Sequence, residues 1–362
     1  MANGGQWDPL SLPKRPGLYI NFVNRALAQV VGGPRGVVGL PIFTYAAEGD
    51  GKKLESGKFL TVETEIEAVE AVGKVNATPI IRVLSGGAAQ VLIYGVPAKE
   101  PESEYDFTGI RAAYEARSFN VFVYPGAVST AEQEATKEWT ERNRKDGKHF
   151  TYVAGGSAED DQDPEVGNAR SILLKDDYVV NLIVGGIDGS GNEIPSEEYA
   201  SFLAGRIAGT PINQSITYDD LPLSDVNRRM TNAEIITALD SGSLVLVNDG
   251  RNVKIEQGIT TNTTETSRGK IRAMRARQAI ATDIPAVAKD HYIGKIDNNP
   301  AGQASLIAAI KQYLETLETE NVLMNIDAGL DSRRESKGDC VFIYIQADEV
   351  DSMERIFLEF GV

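Results

Sequence analysis

The last ten residues, MERIFLEFGV, constrain the fold of this chain more than any other stretch. They alternate in the manner of a β-strand, with Ile356, Leu358 and Phe360 on one side. Burying these three side chains is worth about 1.5 to 3 kcal/mol each, against the roughly 5 to 15 kcal/mol that stabilises a whole domain. The pattern therefore predicts a strand covered by a partner surface, which lies in this chain or in another.

The beginning of the sequence also contains an apolar, strand-like segment near the chain end. The first seventeen residues contain three prolines and no apolar periodicity, so they are predicted to form an extended arm. A strand then follows in GLYINFV, where Leu18, Ile20 and Phe22 share one face and Tyr19 and Val23 the other. Both termini, residues 1–24 and 352–362, are thus predicted to be strand-like arms.

Charge excludes some classes of partner. The net charge of −16 opposes nonspecific binding to nucleic acid or to an anionic membrane, so neither is predicted as a partner. No apolar run approaches the roughly 18 residues that a membrane-spanning helix needs, and the first residues lack the order of a secretory signal. The single cysteine, Cys340, lies in an apolar run and is predicted to be a buried structural thiol.

Between the arms the chain is predicted to hold two domains. Strands and helices alternate through residues 25–220, which predicts an α/β domain with a largely parallel sheet. A polar, proline-bounded stretch places the boundary near residue 220. Residues 221–351 are predicted to form an α+β domain with a capping box at Thr231 and Glu234, a hairpin turn at Asn248-Asp249-Gly250, two long helices and a closing strand.

The sequence contains no clear motif for catalysis or cofactor binding. The glycine-rich stretches VVGGPRGVVG and GKKLESGKF lack the spacing of phosphate-binding loops. The run SAEDDQDPE is predicted to be a solvated loop rather than a catalytic carboxylate pair, and the two histidines, His149 and His291, have no neighbours at ligand spacing. No catalytic, cofactor or metal site is predicted, although the alternating α/β pattern leaves a nucleotide-binding protein or enzyme as the alternative function.

One basic cluster interrupts the acidic trend at the head of a predicted helix. Arg268, Arg272 and Arg275 share a helical face, and Lys270 lies among them. The cluster is either a solvated face paired with local acids or a surface that docks onto carboxylates.

In order along the chain, RPGLYINFVNRA, GVVGLPI, SGKFLTV, YASFLAGRIAGTPINQSITYDDLP and MTNAEIITALDSGSLVLVNDGRNVKIEQGITT resemble contractile tail sheath proteins of myophages, prophages and phage-tail-like bacteriocins, in particular the short sheaths from Gram-positive hosts. The resemblance covers nearly the whole chain. Two features depart from the family: the chain is short, and GITTNTTETSRGK replaces the family's usual stretch after the hairpin.

The resemblance implies a structural subunit of a helical polymer that surrounds an inner tail tube and contracts to drive the tube through a cell envelope. It implies that the arms pair with strands of neighbouring subunits, with Val341, Ile343 and Ile345 in the accepting strand. Arg268, Lys270, Arg272 and Arg275 become candidates for contact with the tube, followed by the helix start from Asn298 to Lys311. Implied partners are other copies of the chain, the tube protein, and baseplate and terminator proteins, with assembly in the host cytoplasm.

Overall fold

A computed structural model describes residues 35–45, 54–99, 104–264 and 269–361. The N-terminal arm, including Leu18, Tyr19, Ile20 and Phe22, and the basic residue Arg268 lie outside these described ranges.

A seven-stranded sheet organises the first part of the described chain. Its neighbours pair in parallel except at one edge, where β2 runs antiparallel to β3, so the predicted α/β domain with a largely parallel sheet is confirmed. The strands, in spatial order, are β11 (Ser243–Leu244), β6 (Val179–Leu182), β5 (Thr151–Ala154), β4 (Val121–Val123), β1 (Val37–Ile42), β3 (Gln90–Gly95) and β2 (Phe59–Val62).

In the described ranges seven α-helices accompany this sheet. One of them confirms a local prediction, since α7 begins at a capping box made by Thr231 and Glu234. Helix α6 begins after Pro195 and ends at Gly209. The helices are α1 (Glu65–Val72), α2 (Thr78–Gly86), α3 (Phe107–Glu115), α4 (Thr130–Lys145), α5 (Pro164–Leu173), α6 (Ser196–Gly209) and α7 (Asn232–Asp240).

The two faces of the sheet are packed differently. In β4, Val121 and Val123 join an aliphatic core that includes residues of α1, α2 and α6. Phe122 points to the opposite face, where it packs among aromatic residues that include Tyr114 and Trp139 from α3 and α4. Burial of both faces explains why the central strands are apolar throughout instead of alternating.

Glycines let α2 and α6 approach each other closely. A Cβ atom on Gly205 of α6 would overlap the carbonyl oxygen of Val83 in α2, and one on Gly209 would overlap the backbone of Gly87. The backbones of the two helices are therefore in direct contact, which is the physical role of the AGRIAGT stretch.

The run SAEDDQDPE is not a wholly solvated loop. It contains a short 3-10 turn at Asp160–Gln162 and the start of α5. Asp161 is fully buried and accepts hydrogen bonds from Ser196 Oγ at 2.5 Å, the Ser196 amide at 2.8 Å and Asn227 Nδ2 at 2.8 Å. Burial raises the pKa of this carboxyl. Through Ser196, the first residue of α6, the carboxyl holds the start of that helix.

The seven-stranded sheet continues past the boundary predicted near residue 220. Beyond that residue β11 pairs with β6, and Ala238 of α7 and Leu244 belong to the same aliphatic core. Further short strands are β7 (Gly186–Ile187), β8 (Glu193–Ile194), β9 (Asp220–Leu221), β10 (Asp225–Val226), β12 (Leu246–Asn248) and β13 (Val253–Ile255). The polar stretch around residue 220 carries β9 and β10, and each of them joins a small three-stranded sheet with strands from before or after the boundary.

The C-terminal part consists of two long helices and a two-stranded antiparallel sheet: α8 (Ile271–Val287), α9 (Pro300–Thr319), β14 (Leu323–Leu330) and β15 (Ile343–Glu349). A π-helical turn at Ala288–Tyr292 extends α8, and Pro285 lies inside α8 itself. The closing strand begins at Ile343 and not at Val341, and its partner β14 had not been predicted. Cys340 is exposed in a tight turn, so the prediction of a buried thiol is wrong.

The contact between α2 and α6 makes a stability prediction. Replacing Gly205 with Ala should lower the free energy of unfolding by at least about 2 kcal/mol, because the new methyl group meets backbone that cannot rotate away. Gly126→Ala, at a position with open space around it, is the control and should change stability by less than about 0.5 kcal/mol. Urea denaturation of both variants measures the difference, and equal stabilities would contradict the packing described.

Candidate functional site

The C-terminal arm is the most unusual surface of the described chain. Residues 351–361 form no strand and pair with none. Ile356, Leu358 and Phe360 are 71%, 90% and 91% exposed, and Phe357 on the opposite side is 91% exposed. Large apolar side chains clustered at such exposure are typical of a surface that another molecule covers. The described part of the chain therefore does not itself provide the surface that the sequence predicts for these side chains.

The sheet of β14 and β15 lies just before this arm. Leu323 and Ala328 of β14 are buried among residues of α9, including Leu314. In the described part of the chain, β14 and β15 pair only with each other, so each strand leaves one edge unpaired. Tyr344 and Ile345 of β15 are 36% and 39% exposed, which leaves apolar surface on the sheet. A two-stranded sheet with free edges can accept further strands.

Glu354 ties the root of the arm to the body of the chain. Its carboxylate pairs with Lys270 Nζ and accepts hydrogen bonds from Gln257 Nε2 and Thr217 Oγ1, each at 2.8 Å. Burial acts to raise the pKa of Glu354, but these donors outweigh it and hold the pKa below the ordinary value. The ion pair is nearly closed to solvent, since the side chains of Lys270 and Glu354 are 8% and 10% exposed.

The basic cluster does not form a free cationic surface. Lys270 is occupied by Glu354, Arg272 is 9% exposed and donates to the Asn321 carbonyl at 3.0 Å, and Arg275 donates to the backbone at the end of α6. Burial lowers the pKa of Arg272, and that of Arg275 to about 10. Arg272 and Arg275 both lie in α8 and contact the chain itself, as Lys270 does at the N-cap of the helix. Their assignment as tube-facing residues stays a prediction.

Helix α8 joins the C-terminal part to the large sheet. Gln278 donates to the carbonyls of Asn120 and His149 at 2.9 and 3.0 Å, beside β4 and β5. Asp283 accepts from Arg35, ahead of β1, at 2.8 Å and from Tyr313 of α9 at 2.6 Å. These bonds are side chain to backbone or charge-assisted, and they fix α8 against both the sheet and α9.

The fold contains the position at which the alternative function, nucleotide binding, would be expected. Doubly wound proteins bind nucleotides where the strand order reverses, here between β1 and β4. A crevice of about 290 Å³ lies there, and among the described residues its lining is uncharged. In the described ranges no group of three or more acidic, histidine or cysteine side chains could hold a metal ion. No helix in that part of the chain is long and apolar enough to cross a membrane.

The contacts of Glu354 could not be found from sequence. It stands between exposed residues in an alternating run, and nothing local distinguishes it from Glu359. Its three body partners come from positions 217, 257 and 270, which only the fold brings together.

The α/β body, the separate C-terminal sheet domain and the uncovered arm together define the architecture of a contractile tail sheath protein. Two family models match the chain, "Phage tail sheath protein central domain" over residues 103–261 and "Phage tail sheath C-terminal domain" over residues 263–362. The chain therefore belongs to the phage tail sheath family, as its resemblance to sheath proteins indicated. The two models meet near residue 262, past the end of the large sheet.

Related sequences are similar over different shares of the chain. The tail sheath protein of Clostridium phage phiCD119 is 27% identical over 44% of this chain and 45% of its own length. The phage-like element PBSX protein XkdK of Bacillus subtilis is 25% identical over 83% of this chain and 62% of its own length. The matched segments thus span about half to two thirds of these relatives.

Solved structures share the fold over almost the full chain. A sheath tail protein from Desulfitobacterium hafniense is 20% identical with a TM-score of 0.73, covering 94% of this chain and 99% of that one. The helical sheath of the anti-feeding prophage in the contracted state is 14% identical with a TM-score of 0.73, covering 97% and 99%. At these identities the likeness establishes the fold.

Glu354 makes the strength of the arm root depend on pH. Because the folded state lowers its pKa below 4.5, the stability it contributes is complete above that pH and is lost as the pH falls through the lower, folded value. The unfolding free energies of the parent chain and Glu354→Gln, measured by urea denaturation from pH 7 to pH 3, should therefore converge in acid. A difference that stays constant across this range would contradict the contacts described.

Proposed function

We propose that this chain is a structural subunit of a contractile tail sheath and that its C-terminal arm links it to the next subunit. The observation that carries the proposal is the near-complete exposure of Ile356, Leu358 and Phe360 beside a sheet with unpaired edges. Membership of the sheath family supports the polymeric role. The proposal is a structural role and assigns no reaction to the chain.

Strand addition would satisfy both surfaces at once. An arm that lies along β14 or β15 of a neighbour gains backbone hydrogen bonds, each worth about 0.5 to 1.5 kcal/mol net. Its alternating apolar side chains would cover the sheet, adding about 1.5 to 3 kcal/mol for each large side chain fully buried. Such a link does not depend on how the bodies pack, so it persists when subunits rearrange.

The N-terminal strand supplies the second link in this proposal. Leu18, Tyr19, Ile20 and Phe22 carry the same alternation as the C-terminal arm. The described chain leaves one edge of β14 and one edge of β15 unpaired, so the C-terminal sheet has room for two added strands. The accepting strand proposed from the family resemblance is then Ile343–Glu349, which includes Ile343 and Ile345.

Contact with an inner tube, and with baseplate and terminator proteins, belongs to the same proposal, as does assembly in a host cytoplasm. Since Lys270, Arg272 and Arg275 are committed to contacts within the chain, the start of α9 takes their place as the proposed tube-facing surface. Ala301 and Ala304 are exposed there, and the side chain of Lys311 is 45% exposed while it pairs with Asp327 at 3.1 Å. Such half-exposed charges are weakly bound and easily exchanged.

The arm link predicts a face-specific effect on assembly. The double variant Leu358→Asp, Phe360→Asp should remain folded, because both side chains are about nine-tenths exposed, but should form no tubes. Asp would place a charge on the face that the neighbouring sheet must cover. Negative-stain electron microscopy and sedimentation velocity measure tube formation.

Phe357→Asp is the control matched to the single variant Phe360→Asp, since each adds one charge at a side chain that is 91% exposed, on opposite sides of the arm. It should impair assembly much less. Normal tubes from the double variant would overturn the arm link. A single discrete dimer from the parent chain would show that the strands exchange in pairs and not along a polymer.

A further inference from the structure

Among the described residues, the last hydrogen bonds and ion pair between the arm and the body are made by one side chain, that of Glu354. The final backbone hydrogen bond of the described residues joins the Val350 amide to the Val322 carbonyl at 3.0 Å. Beyond it Met353 is 90% exposed and Ile356 is 71% exposed, yet Glu354 between them keeps only a tenth of its side chain in solvent. The arm therefore leaves the body at Glu354, four residues after the backbone pairing ends.

Three separate segments supply the donors that hold this carboxylate. Thr217 lies between α6 and β9, Gln257 follows β13, and Lys270 is the residue before α8. Ser352 of the arm adds a fourth donor to Glu354 Oε1 at 3.3 Å, and Asp351 lies 3.8 Å from Lys270 Nζ. A carboxylate satisfied from several directions has a fixed position and orientation, unlike an exposed ion pair.

The position of this contact sets how far the arm can reach. From Glu354 to Phe360 is six residues, which span at most about 20 Å when fully extended. If the arm were free from Val350 onward, ten residues would span about 33 Å. Closing or opening the contact thus changes the reach of the arm by about 13 Å, more than the width of a two-stranded sheet.

We propose that Glu354, held by Lys270, Gln257 and Thr217, is the positioning residue of the C-terminal arm, which fixes the point and direction at which the connector leaves the subunit. The contact is a property of the single chain. Its consequence, a defined distance to the neighbour that receives the arm, rests on the proposed function.

The Lys270–Glu354 pair could instead have only a stabilising role, and that role predicts a different result. If the pair only stabilised the junction before α8, its loss would leave the motion of the arm unchanged, while the free energy of unfolding would fall in either case. If it positions the arm, its loss frees the root while the body stays folded, because β14 and β15 pair without it.

A spin label at Met353→Cys in a Cys340→Ser background reports on the root directly, since both side chains are exposed. Leu358→Asp is included so that the label is measured in unassembled chains. Adding Glu354→Ala should shorten the rotational correlation time of the label by about threefold, toward the nanosecond motion of a free chain end. Glu359→Gln, which removes an exposed acid from the same arm, is the control and should leave it unchanged.

Unchanged label motion in Glu354→Ala, or equal loosening in Glu359→Gln, would overturn the proposal. If Glu354→Ala does not fold, Gln257→Leu removes one donor and keeps the Lys270 pair, and should loosen the label by a smaller factor. Mobility is read only in a fraction that sedimentation velocity identifies as single chains, so failure of the arm link in the assembly experiment would leave this result standing. In assembled material with Leu358 intact, Glu354→Ala should broaden the spacing between subunits seen by electron microscopy, and uniform spacing would refute the consequence for reach.

Discussion

The structure depends on one imbalance: the body buries its apolar residues thoroughly, whereas the last segment carries large apolar side chains that the described chain leaves in solvent. Water disfavours that arrangement by several kcal/mol, which is comparable to the stability of a domain. The edges of β14 and β15 that the described chain leaves unpaired would provide a complementary surface, because a strand needs both a hydrogen-bonding edge and an apolar face to dock. The proposed polymerisation through the arm would resolve the imbalance without changing the body.

A connector of this kind is useful only if the body that carries it is rigid. Helix α8 provides that rigidity, since Gln278 binds the backbone beside β4 and β5 while Asp283 joins Arg35 to Tyr313. Lys270, immediately before α8, extends the same support to the arm root. Rearrangement of subunits in a sheath would then be confined to the arms and to the surfaces between bodies.

Features set by neighbouring residues could be predicted from sequence, and features set by distant contacts could not. The capping box at Thr231 and the alternating α/β pattern are local, and the structure confirms them. The spacing predicts that Arg272 and Arg275 share a helical face, but spacing cannot tell whether a face meets solvent or the chain itself. The sequence pattern did not predict β14, whose pairing with β15 is interrupted by a bulge between Met324 and Asp327. The turn that exposes Cys340 depends on the bridge between Lys337 and Cys340.

The most direct test is a cryo-EM reconstruction of the assembled polymer at a resolution that traces the backbone from Glu354 to Phe360. The account predicts continuous density that leaves one subunit at Glu354 and lies along β14 or β15 of a neighbour, with Leu358 and Phe360 against that sheet. Density that turns back and packs residues 356–360 on their own subunit would contradict it.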